Sequence, residues 1–390
     1  MKFTANRKVL LENLKTMFKV VPKTSPVHEL TGFLVEVNED DGFVYLTANN
    51  LESSIQRKMK PIVEMGGTFV MNAKMLIDIL TVLGGTDVVF EEVKPGRITI
   101  KAENCVYTMA VMDGRLYQRP EMPFPDNTVK VRGLKQLYSA TMSTVPADTE
   151  HLSLQGIHID ITENSVKATS CNVQSASVAS VEMKTGGKLS FTLPKVNYSY
   201  LASAIADDDE LEVGQSGAYI VFMKKGMMFS SRCLAHEYVD IEPLFNKIQP
   251  IYTAKVEYDG FKDELCNICD VALMGKEKSY IKMDFSENEI ALSTMNDVGS
   301  STTKTKCTRI AGNEHTFYYQ PGKLKNLFKV LDGTMILQLD SRGFMVAFTR
   351  NNKFLISPIH ENNVEKQKLK IAEIKAGTKK TKKSQTAQAA

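Results

Sequence analysis

Apolar and polar residues alternate with period two at Gly32-Phe-Leu-Val-Glu-Val, Gly156-Ile-His-Ile-Asp-Ile and Tyr280-Ile-Lys-Met-Asp-Phe, the pattern of a strand with one buried face. Each stretch follows an amphipathic helix pattern and precedes a second short alternating run. A spacing of roughly 120 residues marks a domain-sized unit repeated three times, which builds a curved object from equivalent parts. The latter half of the unit repeats as well. A lead-in strand runs into a helix at Thr68-Phe-Val-Met-Asn-Ala-Lys-Met-Leu, Leu189-Ser-Phe-Thr-Leu-Pro-Lys-Val-Asn and His315-Thr-Phe-Tyr-Tyr-Gln-Pro-Gly-Lys. Lys74, Lys195 and Lys323 take matching places at the helix start, with Asn72, Pro194 or Pro321 just ahead, as helix N-termini favour. Turns at Gly84-Gly85, Asp207-Asp208-Asp209 and Asp332-Gly333 lead into further alternating strands. The unit reads helix, strands, helix, strands, an α+β fold.

The length of 390 residues, 43% of them hydrophobic, suits three modest domains with ample core. The repeat sets them at 1–125, 126–250 and 251–360, followed by a basic tail over 361–390 whose low hydrophobicity leads to an expectation of disorder. No run of about 18 apolar residues is present, and Met1-Lys2-Phe3-Thr4 runs into helix rather than a signal segment, so the expectation is a soluble, cytoplasmic chain with no membrane partner.

Enzymatic chemistry finds little support. Cys105, Cys171, Cys233 and Cys307 are scattered singly, mostly in strand patterns. Cys266 and Cys269 form a Cys-x-x-Cys, but helical spacing puts them on the apolar side with Leu265 and Ile268, and no second Cys or His pair lies at zinc-site spacing. Core packing is the expectation for both. The phosphate-binding loop, zinc-protease and nucleophile-elbow motifs are missing, so no catalytic residue, metal or cofactor is expected.

Charge is distributed more tellingly than its total. Residues 361–390 hold eight lysines against three glutamates, net +5, so the chain's formal +3 leaves −2 on residues 1–360. Within that body, Leu10, Leu14, Met17 and Val21 line one side of the first helix, while Lys8, Glu12, Lys15 and Lys19 line the other. Lys74 in the same unit, and Lys325 with Lys329 in the third, repeat the basic side, which points to a shared phosphate-facing surface. The middle unit offers mainly Gln136, Ser139, Ser143, Ser199 and Ser203, and the third unit's first helix offers Asp263, Asn267 and Asp270. Contact with DNA is therefore expected to be weak and uneven.

Met1-Lys-Phe-Thr, Leu30-Thr-Gly-Phe-Leu-Val-Glu-Val, Leu46-Thr-Ala-Asn-Asn-Leu-Glu-Ser-Ser-Ile, Asn72-Ala-Lys-Met-Leu-Ile-Asp-Ile-Leu, Phe191-Thr-Leu-Pro-Lys, Ser231-Arg232 and Phe354-Leu-Ile-Ser-Pro-Ile occur in order across residues 1–360. This ordered set resembles the bacterial sliding clamp, the beta subunit of DNA polymerase III. The resemblance implies a head-to-tail homodimer of three-domain chains: six domains in a ring around duplex DNA, held without regard to sequence. It also implies a DNA polymerase and a clamp loader as partners. On that pattern the DNA-facing residues are Lys8, Lys15, Lys19, Lys23, Lys74, Lys325 and Lys329. The dimer joint falls on Cys105–Met112, with Cys105, Tyr107 and Met109, and on Ser301–Arg309, with Thr303, Thr305 and Cys307.

The resemblance further implies a pocket for short client peptides, formed by Leu152, Thr169, Val173, Val239, Leu244, Leu355, Pro358 and Ile359. Here the sequence departs from the family. Thr169-Ser-Cys-Asn-Val-Gln stands where the family has a Thr-Asp-Gly-His-Arg-Leu-like segment, and Tyr238-Val-Asp-Ile-Glu-Pro-Leu replaces Phe-Pro-Asp-Tyr and its basic pair. The expectation is a divergent clamp with an altered peptide preference. The rival readings are a clamp-fold interaction protein that does not encircle DNA, and an enzyme using Cys266 and Cys269.

Overall fold

The structure is a computed structural model. It describes all residues except 104, 121, 123, 148–150, 276–278, 328–332 and 388–390, and of Tyr258, Leu327 and 375–387 the backbone alone. The first third of the chain runs β1 (Lys2–Asn6), α1 (Arg7–Met17), β2 (Gly32–Asn38), β3 (Phe43–Asn49), β4 (Ser53–Met59), β5 (Ile62–Met65), β6 (Gly67–Asn72), α2 (Ala73–Val82), β7 (Asp87–Lys94), β8 (Arg97–Ala102), β9 (Cys105–Ala110) and β10 (Met112–Asp113). The second runs β11 (Val129–Val131), α3 (Leu134–Thr141), β12 (Gly156–Ile161), β13 (Ser165–Asn172), β14 (Ser175–Glu182), β15 (Leu189–Pro194), α4 (Lys195–Ala204), β16 (Leu211–Ser216), β17 (Tyr219–Lys224) and β18 (Met227–Arg232), then the short α5 (Glu242–Asn246). The third runs β19 (Pro250–Glu257), α6 (Tyr258–Leu273), β20 (Ile281–Phe285), β21 (Glu289–Met295), β22 (Ser300–Gly312), β23 (His315–Tyr319), α7 (Pro321–Leu327), β24 (Thr334–Asp340), β25 (Met345–Phe348) and β26 (Asn352–Ile356), before α8 (Glu361–Ala387).

Each repeat therefore opens on a strand rather than a helix. β1 alternates, with Phe3 and Ala5 buried, and pairs with β5 and β7. Five residues with two buried positions give too little period to outweigh the strong helical pattern behind them. Helix α1 then forms because Asn6 caps it, its side-chain oxygen accepting from Val9 N at 3.1 Å. Leu10, Leu14 and Met17 recur at helical spacing and are buried, as the sequence predicts. Asn72 caps α2 in the same way, accepting from Met75 N at 3.0 Å.

Tertiary contacts gather into two compact units: residues 1–138, 158–166 and 182–236, and residues 139–157, 167–181 and 237–390. The first unit holds two sheets, ordered β5-β1-β7-β8-β9 and β10-β6-β2-β3-β4-β18-β17-β16-β11. In the second, β14-β26-β25-β24-β19-β22-β21-β20-β23 run side by side. Its main core includes Tyr252, Phe261, Leu265, Phe285, Leu324 and Phe354.

Inside each unit the last strand of one repeat joins the preceding repeat. In the first, β18 pairs antiparallel with β4, from Met227 opposite Arg57 to Ser231 opposite Ser53. In the second, β26 pairs antiparallel with β14, from Ser175 opposite Ile356 to Ala179 opposite Asn352. The corresponding strand of the third repeat is β22. Its Ser300–Lys306 half pairs with β21, and its Cys307–Gly312 half with β19.

The tail departs from the unstructured end expected. Glu361–Ala387 is the helix α8, and Val364 and Ile371, two turns apart, are each 1% exposed. Lys368 pairs with Glu365 at 2.7 Å and lies 5.8 Å from the Tyr318 ring centre. A low average hydrophobicity conceals two apolar residues spaced to anchor one helix face.

Candidate nucleic-acid and partner interfaces

Five of the predicted DNA-facing lysines, Lys8, Lys15, Lys19, Lys23 and Lys74, are exposed residues of the first unit. Burial of Leu10, Leu14 and Met17 fixes the roll of α1 and so turns Lys8 and Lys15 outward. Lys19 donates to the Ser203 hydroxyl on α4 at 2.8 Å. Among the described residues none of the five forms an ion pair, so their charge stays available to an anion.

In the third repeat Lys325 bonds the Asp270 carboxylate of α6, and that hydrogen bond raises its pKa. Its charge is compensated locally. Lys329 lies outside the described residues. The matching helix-start lysines also differ in setting: Lys74 is exposed, whereas Lys195 and Lys323 are half-buried, and burial lowers their pKa values.

Among the strand edges that the sheets leave open are the two that the resemblance assigns to the joint. β9 pairs with β8 alone, from Arg97 opposite Ala110 to Ala102 opposite Cys105, and exposes Cys105, Val106 and Tyr107, while Met109 is buried. The Ser300–Lys306 half of β22 pairs with β21 alone. Of the residues assigned to the joint, Thr303 and Thr305 lie on that stretch. Cys307 already faces Val256 of β19, which places it past the open section. Edge strands with unpaired amides and carbonyls invite another strand.

The residues assigned to the peptide pocket all belong to the second unit. A small core there contains Cys171, Ala176, Val178, Ile241, Phe245, Val346 and Leu355. Thr169 and Leu355 are buried, whereas Leu152, Val173, Val239 and Leu244 are exposed, Val173 to 95%. Val173 sits at the β13–β14 turn, where the Asn172 side-chain oxygen accepts from both Gln174 N and Ser175 N at 2.9 Å. Pro358 and Ile359 are half-buried, and Ile359 N donates to Tyr318 O at 2.6 Å.

Sequence reasoning missed the supporting layer. Leu154 rather than Leu152 packs on the small core, and Ile241 and Phe245 rather than Val239 and Leu244 complete it. The i, i+4 spacing of Ile241 and Phe245 around α5 was the available signal. Beneath this layer Thr144 bonds the hydroxyls of Ser170 and, at 2.6 Å, Ser177, while Ser170 donates to Thr141 O at 2.6 Å. These bonds satisfy buried hydroxyls and hold β13, β14 and the end of α3 together.

Of the cysteine pair, Cys269 packs in the core as expected, whereas Cys266 is half-buried and lies outside that core. Cys269 is fully buried on α6, and burial pushes its thiol up to about 12, so it is protonated at neutral pH. Burial likewise pushes Cys233 up to about 11. Neither provides the thiolate that nucleophilic chemistry requires.

Residues 1–120 match the DNA polymerase III beta subunit, N-terminal domain. The chain is 22% identical to the beta sliding clamp of Micrococcus luteus over 317 residues, covering 79% of this chain and 99% of that one. It is equally identical to the beta sliding clamp of Bacillus subtilis over 355 residues, 86% of this chain and 92% of the other. In three dimensions it superposes on the beta subunit from DNA polymerase of Streptococcus pyogenes with a TM-score of 0.83 at 18% identity, covering 92% and 100% of the two chains. The Thermotoga maritima DNA polymerase III beta subunit gives 0.81 at 16% identity, covering 92% and 99%. With the beta sliding clamp fold shared over 92% of the chain, only about a fifth of the residues identical, and residues 1–120 matching the family's N-terminal domain, the chain is similar to the beta sliding clamps as a divergent relative.

Proposed function

We propose that two copies of this chain close into a ring around duplex DNA and act as a sliding clamp, tethering a polymerase without performing catalysis itself. The observation that carries this reading is the pair of open edges. Two of the three repeat-to-repeat joints form within the chain, β4 with β18 and β14 with β26. The third needs β9 and the first half of β22, and a second copy supplies each edge with its partner. A heterologous joint of this kind gives a closed ring when the rotation closes, here after two chains and six repeats.

A closed ring is retained by topology, so its phosphate contacts can be few and sequence-blind. Lys8, Lys15, Lys19, Lys23 and Lys74 supply such contacts in the first repeat. The uneven charge of the third repeat, where Asp270 holds Lys325, suits sliding better than tight binding.

Clients dock on the second unit. The exposed Leu152, Val173, Val239 and Leu244 stand beside the small core containing Ile241, Phe245 and Leu355, an apolar surface suited to a short peptide with a buried hydrophobic anchor. Asn172 and Val173 stand where the family pattern has histidine and a basic residue, so the peptide relies on apolar contact rather than on polar recognition. A polymerase and a clamp loader working in the cytoplasm complete the scheme. Native mass spectrometry at micromolar concentration tests the ring. A dimer is expected, and a monomer would refute it.

A further inference from the structure

A groove of about 740 Å³ opens in the first unit where α1 ends, a volume within the roughly 300–1,000 Å³ usual for ligand sites. Phe18, Pro22 and Tyr200 give it an apolar wall, and Lys19, Lys23 and Lys74 give it positive charge. None of its lining residues is acidic. Asn72, the cap of α2, also lines it, and the first turn of that helix carries no acidic residue, so the positive end of the helix dipole adds to the lysines. Phe18 is 39% exposed, a ring kept at the surface beside three ammonium groups.

Duplex DNA stacks its bases inward and offers mainly phosphates, for which lysines suffice and aromatic rings contribute little. A ligand that uses both walls is flat, apolar on its faces and anionic. That is the description of an unstacked nucleotide. We propose that this groove takes an unpaired base of single-stranded DNA adjoining the duplex, with the base against Phe18 and Tyr200 and its phosphate on Lys23 and Lys74. The inference rests on the DNA-binding part of the function proposed above and extends it to the junction between double and single strands.

The test compares the full-length chain on a blunt duplex and on the same duplex bearing a poly-dT tail of about ten nucleotides, by fluorescence anisotropy at fixed salt. Wild type is expected to prefer the tailed DNA by roughly tenfold, the size of one base stacked on an aromatic side chain. Phe18→Leu and Tyr200→Leu keep apolar bulk without a ring. Each is expected to lose most of the preference while blunt-duplex affinity stays the same. Equal affinity of wild type for the two DNAs overturns the proposal, as does a preference that survives in both variants. An acidic, aromatic peptide that binds the groove while the tail preference is absent overturns it too. Retention on closed circles is read separately: a chain that prefers tailed DNA yet slips from circles keeps this site and sinks the ring.

Discussion

Asp270 governs what Lys325 contributes. The two are 55 residues apart, and their bond compensates a cation that the sequence pattern alone assigns to the phosphate-facing set. Asp270→Asn should release that cation. The slope of log affinity against log salt on linear duplex should then steepen by about 0.9, the increment for one more neutralised phosphate. An unchanged slope would place Lys325 away from DNA. Cys269 gives a second residue-scale test. Its raised pKa, about 12, keeps the thiol protonated across the working range, so the folded protein should leave it unalkylated at pH 8 and the denatured protein should expose it, as peptide mass spectrometry would read. Rapid alkylation in the folded state would revive the thiol chemistry set aside above. For the client surface, Leu244→Asp changes a residue that is 43% exposed, so the fold should hold while apolar peptides lose at least about tenfold in affinity. Unaltered peptide binding would move the pocket elsewhere.

At the scale of elements, helix faces were readable and strand partnerships were not. The α1 pattern of Leu10, Leu14 and Met17 against Lys8 and Lys15 was legible because a 3.6-residue period is local information. Which edge stays open is decided by pairings between segments far apart in the chain, such as β4 with β18, and no local period encodes them. The resemblance pointed to Leu152, Val239 and Leu244, while Leu154, Ile241 and Phe245, which pack where β14 and β26 meet, were overlooked even though Ile241 and Phe245 are spaced i, i+4. The leading strands β1 and β11, five and three residues long, fell below the length at which alternation is distinctive, whereas β19, with eight residues, was overlooked despite its alternation. Two tests belong here. Tyr107→Asp places a charge on an exposed edge position, so the monomer should keep its thermal stability while dimerisation weakens by at least about tenfold, because an unpaired charge would be buried in the joint. Sedimentation velocity would show it, and an undisturbed dimer would exclude β9 from the joint. Ile371→Asp should loosen α8, since a buried anchor becomes charged; limited trypsin digestion should then cut the lysine-rich helix sooner while the core unit stays intact. Equal cleavage would mean that the anchor is not what holds the helix.

For the molecule as a whole, the proposed ring requires one joint per chain to be made with another chain, and encirclement follows only if two such joints close. Charge alone cannot imitate that outcome, because phosphate contacts are lost steeply with salt on any DNA form, whereas a closed ring is released by an end. The most direct measurement loads the protein onto a nicked circular duplex, washes at moderate salt, and then linearises half of the sample with a single cut. Retention on the circles with release from the cut molecules is the expected result. Equal retention on both, or loss from both during the wash, would contradict encirclement.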